Sequence, residues 1–218
     1  MKKTQHRSKS RNATRTNDPE KTRQDIISVA TVEFSTKGLS GARIDEIAAR
    51  TRTSKRMIYY YFGSKEALYL TVLEEAYRGM RQAEGELQLD HFPPEEALRR
   101  LVISTFDHQN GNPQFIRLVM NENIHQGEYL ARSKTIQKLN IPAIEAVRQI
   151  YERGRAAKIF RDDLDPVDLH MSISALCIFN IANRATFSTI FKRDMASPKA
   201  LTARRAQIVD IITRYVKR

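Results

Sequence analysis

The chain has 218 residues, of which 41% are hydrophobic and 28% are charged, and it carries a formal net charge of +12. This length suits one domain, or a small domain joined to a larger one, and eight glycines with seven prolines are too few for a chain disordered throughout. A single cysteine, Cys177, excludes an intramolecular disulfide, and its apolar neighbours predict a buried thiol. The longest apolar run, residues 171–182, is too short to span a bilayer, and the basic amino terminus has no apolar segment behind it. We therefore expect a cytoplasmic protein with no membrane partner.

The positive charge is concentrated near the amino terminus. Residues 1–65 contain 15 lysines and arginines against 6 acidic residues, whereas residues 66–218 contain 22 against 19. This asymmetry favours a polyanion-binding end joined to an ordinary globular body. Residues 1–17 contain no acidic residue and almost no apolar one, so we expect a basic arm that is disordered when free.

Beyond this arm the apolar residues follow a helical period almost without interruption, and no strand-like alternation persists. The first predicted helix runs from Pro19 to Lys37. Asp18 can cap its amino terminus, proline suits its first turn, and Gly38 can end it. The sequence therefore predicts an all-α chain.

Two short helices follow in residues 43–65, separated by the polar break at residues 51–53. In the second of them Ile58 and Phe62 form an inward pair at i, i+4. The opposite side carries a cationic and aromatic set without a carboxylate: Arg56, Tyr59 and Tyr60, with Lys55 at the margin. Such a face is typical of a helix that enters a nucleic-acid groove. A helical adaptor that binds protein would instead present an apolar or mixed face.

The rest of the chain predicts long helices, nine or ten in the whole molecule. Ser64 caps the first of these, which runs to about Glu86. The following helices are predicted at Pro94–Gln109, Pro113–His125, Tyr129–Arg155, Pro166–Phe191 and Pro198–Val216. Proline at position 142 should kink or divide one of them near Asn140.

The last two predicted helices are apolar over much of their length. One chain of this size has limited core to cover both, so we expect a homodimer through these two helices. The alternative, that both pack within their own subunit, stays open at this point.

Many positions agree, in order and without gaps, with a known signature. They are Thr22-Arg23, Ala30, Phe34, Gly38, Ile47-Ala48, Ser54-Lys55, Ile58-Tyr59, Tyr61-Phe62 and residues 64–68. Over roughly residues 20–75 the chain resembles the TetR-type transcriptional regulators, and its remainder resembles their second domain more loosely. That looser pattern consists of Gly154, Phe160, Asp163, Asp165-Pro166 and Asp168-Leu169.

The resemblance implies an amino-terminal helix-turn-helix DNA-binding domain of three helices, residues 18–65, and a larger helical domain, residues 66–218. The larger domain would bind an effector and form the dimer. The implied function is that of a ligand-responsive transcriptional regulator, a repressor that binds a palindromic double-stranded DNA operator as a homodimer and is released by an unidentified small-molecule effector. The basic arm, residues 1–17, either contacts that DNA or is a solubilising tail.

Carried over by position, the resemblance implies two groups of DNA contacts. Tyr59, Tyr61 and Lys65 match phosphate contacts, and Lys55, Arg56 and Tyr60 match positions that face base edges. From the helix geometry, Ser54 is the N-cap that directs the positive helix end toward phosphate. Arg43 is either a further contact or a solvated surface arginine.

The chain departs from the family in the turn between the two short helices. It has Arg52 and Thr53 where the family usually has a glycine and a small hydrophobic residue, and Gly63 where a proline is usual. A left-handed conformation at Arg52 would cost about 1–2 kcal/mol.

An effector pocket is expected among polar residues set between apolar ones in the second domain. The candidates are Asn121, Glu122, His125, Asn180 and Asn183, with Phe106, Phe115 and Tyr151 as walls. For each of them, satisfaction inside the bundle or at a subunit interface is the alternative.

The sequence gives no sign of catalysis. Glu122 and His125 have the Glu-x-x-His spacing of a metal-binding helix, but a di-iron bundle needs that pair twice. The five histidines lack zinc spacing, and neither a glycine-rich phosphate loop nor a nucleophile elbow is present. We therefore predict no catalytic residue, no metal site and no cofactor.

Overall fold

The structure is a computed structural model that describes residues 18–218, so the predicted basic arm at residues 1–17 lies outside the described residues. Residues 18–218 form ten α-helices and two short 3₁₀ turns, which confirms the all-α prediction. The helices are α1 Pro19–Gly41, α2 Ile44–Thr51, α3 Lys55–Phe62, α4 Lys65–Gly85, α5 Pro94–Gly111, α6 Pro113–Ile124, α7 Lys134–Ala156, α8 Pro166–Ala182, α9 Arg184–Phe191 and α10 Pro198–Val216. The 3₁₀ turns are Leu89–His91 and Leu130–Arg132. None of the helices described is long and apolar enough to cross a membrane.

Most helix starts follow from capping side chains. The Asp18 carboxylate accepts hydrogen bonds from the backbone N–H groups of Glu20 and Lys21, both at 3.1 Å, and the Ser64 hydroxyl accepts one from the N–H of Ala67 at 3.0 Å. Gly38 leaves the helical conformation with φ +67°, as its predicted role requires, but a further turn carries α1 on to Gly41.

Of the two outcomes predicted for Pro142, the division near Asn140 is wrong, because α7 continues through this proline from Lys134 to Ala156. Proline lacks an N–H and leaves the carbonyl of the residue four positions earlier without its usual partner. Buried residues on both sides of it, Ile136 and Val147, hold the helix in place by packing. The helix also starts later than predicted, after the Ser133 cap.

The opposite correction applies to the predicted helix at residues 166–191, which the structure divides into α8 and α9. Asn183 lies between them with φ −102° and ψ 5°, and its side chain turns back to the Phe179 carbonyl oxygen at 3.5 Å. Asparagine competes with helical hydrogen bonding in this way, so a break falls where the apolar spacing alone shows continuity.

Two large apolar clusters hold the helices together. The first joins α1, α2 and α3 to residues of α4, α6 and α7, among them Tyr69 and Leu118. The second joins α5, α7, α8 and α10 and contains Cys177, where burial raises the pKa of the thiol to about 12. Cys177 is therefore a buried, un-ionised side chain, as its neighbours in sequence predict.

Candidate nucleic-acid interface

The helices α2 and α3 are joined by a tight three-residue connection. Arg52 has φ 53° and ψ 34°, which is the left-handed conformation. Its N–H donates to the Ala49 carbonyl oxygen at 3.2 Å, and the N–H of Thr53 donates to that of Ala48 at 3.0 Å. Both hydrogen bonds satisfy carbonyl groups at the end of α2, and they offset the strain of a non-glycine residue in this conformation.

The cap and the inward pair of α3 fix which side of that helix faces outward. The Ser54 hydroxyl accepts a hydrogen bond from the N–H of Met57 at 3.2 Å, while Ile58 and Phe62 are buried. As a result Tyr60 is 78% exposed and Tyr59 is 45% exposed. Arg56 is exposed as well, so the predicted cationic and aromatic face is open to solvent.

Tyr61 and Lys65 lie partly buried beside this face. Tyr61 packs against the first apolar cluster, and its ring meets that of Tyr60 edge-on at 5.5 Å between centroids. The Lys65 ammonium lies 3.5 Å from the Ser40 carbonyl oxygen, which places the first turn of α4 against the end of α1. The ring of Tyr61 is therefore part of the apolar packing of this unit.

A carboxylate from the neighbouring helix lies at the margin of this face, although α3 itself contributes none. Asp45, on α2, forms an ion pair with the Lys55 ammonium and lies 3.9 Å from the Arg43 guanidinium. These two basic side chains are predicted DNA contacts, so an anion lies between them. The spacing of α3 alone did not reveal it, because Asp45 reaches Lys55 across the helix pair.

Sequence reasoning also missed Glu33, a buried carboxylate of α1 that contacts α2. It accepts hydrogen bonds from the Lys37 ammonium at 2.8 Å and from the backbone N–H of Arg43 at 3.3 Å, and Arg50 lies 3.9 Å away. Burial opposes its ionisation, but these hydrogen bonds and the charges of Lys37 and Arg50 together hold the pKa of Glu33 below its usual range. Glu33 therefore ties α1 to both ends of α2.

The predicted effector residues on α6 lie where the helical body meets the first three helices. The Asn121 amide donates to the Phe34 carbonyl oxygen of α1 at 3.3 Å. The buried carboxylate of Glu122 accepts from the N–H of Leu130 at 2.9 Å. Burial and the neighbouring Glu122 raise the pKa of the Tyr69 phenol. This group connects α6 with α1 and α4.

Three further candidates are packing residues in separate places. His125 follows the last residue of α6, and its ring meets that of Tyr129 edge-on at 6.3 Å. Phe115 packs edge-on against Tyr77 at 5.3 Å. Phe106 is buried in the second apolar cluster.

The remaining candidates each have an internal partner. Tyr151 bridges two backbone groups of the loop after α7, one at 2.9 Å and the other at 3.0 Å. Asn180 donates to the Asn110 side chain at 3.0 Å, and Asn183 turns back to the Phe179 carbonyl oxygen. The structure therefore does not gather the eight predicted effector residues around one cavity.

A cavity of about 430 Å³ lies elsewhere, between α4, α5 and α7. Arg81 and Glu84 of α4 line it together with Lys138 of α7, and none of the predicted effector residues does. Helical periodicity could have found the first two, because Arg81 and Glu84 follow the inward residue Tyr77 by four and seven positions.

The spacing of Glu122 and His125 does not produce a metal site. Glu122 is engaged with the backbone of Leu130, and His125 lies against an aromatic ring. Within residues 18–218, no group of three histidine, cysteine or acidic side chains could hold a metal ion.

Comparison with known proteins finds two matching families, in separate parts of the chain. The family described as "Bacterial regulatory proteins, tetR family" matches residues 26–72. The family described as "Tetracyclin repressor-like, C-terminal domain" matches residues 94–212.

The similarity to individual proteins covers most of the chain. The HTH-type transcriptional repressor NicS of Pseudomonas putida is 37% identical over 204 residues, which are 94% of this chain and 96% of NicS. The HTH-type transcriptional repressor SCO4008 of Streptomyces coelicolor is 34% identical over 138 residues, covering 63% of this chain and 68% of that protein. Among solved structures, the transcriptional regulator SCO4942 of Streptomyces coelicolor matches with a TM-score of 0.69 and 27% identity, over 89% of this chain and 98% of that one. The two family matches and the extent of these similarities show that the chain belongs to the TetR family of bacterial transcriptional regulators.

Proposed function

We propose that this regulator is a repressor that binds a palindromic operator as a homodimer and leaves it when a small-molecule effector binds. The observation that carries the proposal is the outward face of α3, where Arg56, Tyr59 and Tyr60 are open to solvent. The relatives NicS and SCO4008 are named as repressors, which supports repression over activation. A family of transcriptional regulators argues against an enzyme.

The DNA-binding unit comprises residues 18–65. Helix α3 has eight residues and is therefore about 12 Å long, which suits the width of the major groove. Base edges are read by Lys55, Arg56 and Tyr60. The phosphate contacts are Arg43, Tyr59, Tyr61 and Lys65, with the Ser54-capped end of α3 directed at the backbone.

The dimer forms through the carboxy-terminal helices of the second unit, residues 66–218. On α10, Ile208 and Ile212 are buried in their own subunit, whereas Ile211 and Tyr215 are exposed. On α8, Met171 is exposed too, and both helices present apolar side chains that nothing in the described subunit covers. An isologous contact between two such faces buries them.

Effector control follows from the two-fold arrangement. Two reading helices contact successive major grooves only when they lie about 34 Å apart. Helix α4 runs from Lys65, beside the DNA-binding unit, to Gly85, beside the cavity between α4, α5 and α7. The helical body can also adopt an arrangement in which the two reading helices lie at another distance. An effector that binds better to this arrangement shifts the population away from the DNA-binding state.

Selection of genomic DNA fragments by the purified full chain, followed by footprinting, tests this function. Arg56→Ala should change which sequences are selected, and Tyr59→Phe combined with Lys65→Ala should weaken binding to all of them. Arg148→Ala is the matched control, because it removes one exposed positive charge from α7. If the wild type selects no sequence, or if the Arg56→Ala and control variants select the same sequences with the same affinity, α3 is not the reading helix.

A further inference from the structure

Arg81 is a buried guanidinium inside the helical body. Its side chain is 10% exposed. It donates to the Glu84 carboxylate at 2.5 Å and to the Met80 sulfur at 3.4 Å, and its Nε has no hydrogen-bond partner among the residues described. Buried donors are nearly always satisfied, because an unsatisfied one costs free energy. Arg81 therefore has donor capacity for an acceptor that the chain itself does not supply.

Arg81 lines a cavity of about 430 Å³ between α4, α5 and α7. This volume lies in the range of small-molecule sites. Lys138 of α7 adds a second cation to the wall, and Glu84 is the single carboxylate there. Apolar side chains complete the wall, among them Leu101, Leu139 and Ala143. The cavity thus combines an excess of positive charge with an apolar surface.

Glu84 is the counter-ion of Arg81 in this cavity. Burial raises the pKa of Glu84 above its usual range, although Arg81 opposes the shift. The pKa values of His108 on α5 and His170 on α8 are lowered, first by burial and then by the charge of Arg81. Burial therefore disfavours the ionised form of Glu84, and an anionic ligand can compete with it for the guanidinium.

Pro142, inside α7, leaves one backbone carbonyl of that helix without its usual donor. It lies in the middle of α7 and has no N–H, so the Lys138 carbonyl oxygen lacks its partner four residues along the helix. Both residues line the cavity.

We propose that this cavity binds a small organic monocarboxylate with an apolar body, and that this is the effector site of the regulator. The carboxylate lies against Arg81 and Lys138, where a guanidinium can donate two parallel hydrogen bonds to it. The apolar body lies against Leu101, Leu139 and Ala143. An ammonium ligand is excluded by the two cations, and a neutral amide lacks the charge that would displace Glu84. The role as effector site rests on the proposed function, whereas the binding of a carboxylate does not.

Thermal unfolding of the full chain without DNA tests the site. The probes are sodium benzoate and sodium hexanoate, compared with benzamide, hexanamide, benzylamine and hexylamine at equal ionic strength. A ligand that binds only the folded chain raises Tm, by roughly 5–10 °C at a hundred times Kd for a protein of this size. We expect this rise with at least one of the two carboxylates and with none of the amides or amines.

Variants on α4 supply the matched comparison. Arg81→Gln should abolish the rise in Tm. Arg78→Gln should keep it, because Arg78 lies one turn earlier on α4, is exposed, and forms an i, i+3 ion pair with the preceding Glu75 outside the cavity. The double variant Arg81→Gln with Glu84→Gln leaves no buried unpaired charge, so it should fold and still show no response. Absence of a rise with both carboxylates, an equal rise with the amides or amines, or a rise retained in the double variant overturns the proposal.

The effector role is measured separately, on the DNA fragment that the wild type selects. The carboxylate that raises Tm should release wild-type protein and Arg78→Gln from this fragment but leave the double variant bound. A rise in Tm without release contradicts the effector role and keeps the binding site. A rise in Tm in a protein that selects no DNA contradicts the proposed function and not the site.

Discussion

The Lys55 ammonium of α3 forms an ion pair with the Asp45 carboxylate of α2, at the edge of the face proposed to read DNA. Both side chains are about half exposed, at 57% and 44%. An exposed pair of this kind contributes about 0–1 kcal/mol. Lys55 can therefore leave Asp45 for the DNA at low cost, but the carboxylate stays close to the phosphate backbone.

Asp45→Asn should strengthen operator binding, because it releases Lys55 and removes a negative charge facing phosphate. The gain is limited to roughly two- to fivefold, since the ion pair itself is weak. Arg43, the proposed phosphate contact beside Asp45, is freed as well, and one additional phosphate neutralised steepens the dependence of log K on log salt by about 0.9. Fluorescence anisotropy over a salt series measures both quantities. Glu145→Gln, which removes a carboxylate from α7, should change neither; equal effects of the two substitutions would show that only net charge matters.

Glu33 makes the stability of the DNA-binding unit depend on pH. Its pKa is depressed in the folded chain, so its contribution is fully present above the ordinary glutamate value and is lost as the pH falls through the folded value. Glu33→Gln should lower the free energy of unfolding at pH 7 by about 1–3 kcal/mol, because it breaks a buried charged hydrogen-bond network. The difference from wild type should shrink as the pH is lowered below about 4, near the glutamate reference value. Urea unfolding at neutral and acidic pH measures it, and a difference that stays constant over this range would contradict the assigned role.

The end of α7 has no room for a side chain at Gly154. A β-carbon there would lie 2.0 Å from a ring carbon of Phe160, which is fully buried. Gly154→Ala should therefore destabilise the chain by about 1–3 kcal/mol or more, through overpacking. Gly79→Ala on α4 is the control, since nothing lies within 4 Å of its β-carbon position and alanine favours the helix by about 0.5–1 kcal/mol. Calorimetry should show Tm falling in the first variant and rising in the second; similar shifts in both would contradict the close packing of Phe160.

Local signals in the sequence predicted the helices well, because caps act over a few residues. Asp18, Ser54 and Ser64 all cap the helices expected of them. The errors at Pro142 and Asn183 arose where tertiary packing or a side-chain hydrogen bond outweighed the local preference. The spacing of apolar residues contains no information about either the tertiary packing or the side-chain hydrogen bond.

Features between helices were the hardest to foresee. The Asp45 pairing with Lys55 depends on the angle between α2 and α3, which a linear pattern does not contain. The effector candidates were chosen as polar residues among apolar ones, and that rule also selects residues such as Tyr151 that satisfy internal backbone groups. Arg81 was overlooked because a charged residue on a long helix is usually solvated, whereas here it lies on the inward side.

The proposed dimer surface predicts opposite outcomes for two adjacent isoleucines of α10. Ile211 is 44% exposed and Ile212 is 1% exposed. Ile211→Asp should leave the subunit folded but separate the dimer, because it places a charge in an apolar interface, whereas Ile212→Asp should prevent folding. Sedimentation should show a species of one chain mass for Ile211→Asp. Its operator affinity should fall on the order of 100-fold or more, because the two half-sites are no longer bound by linked heads. Ile141→Asp changes an exposed isoleucine of α7 in the same way and should remain dimeric; a dimeric Ile211→Asp, or a monomeric Ile141→Asp, would place the interface elsewhere.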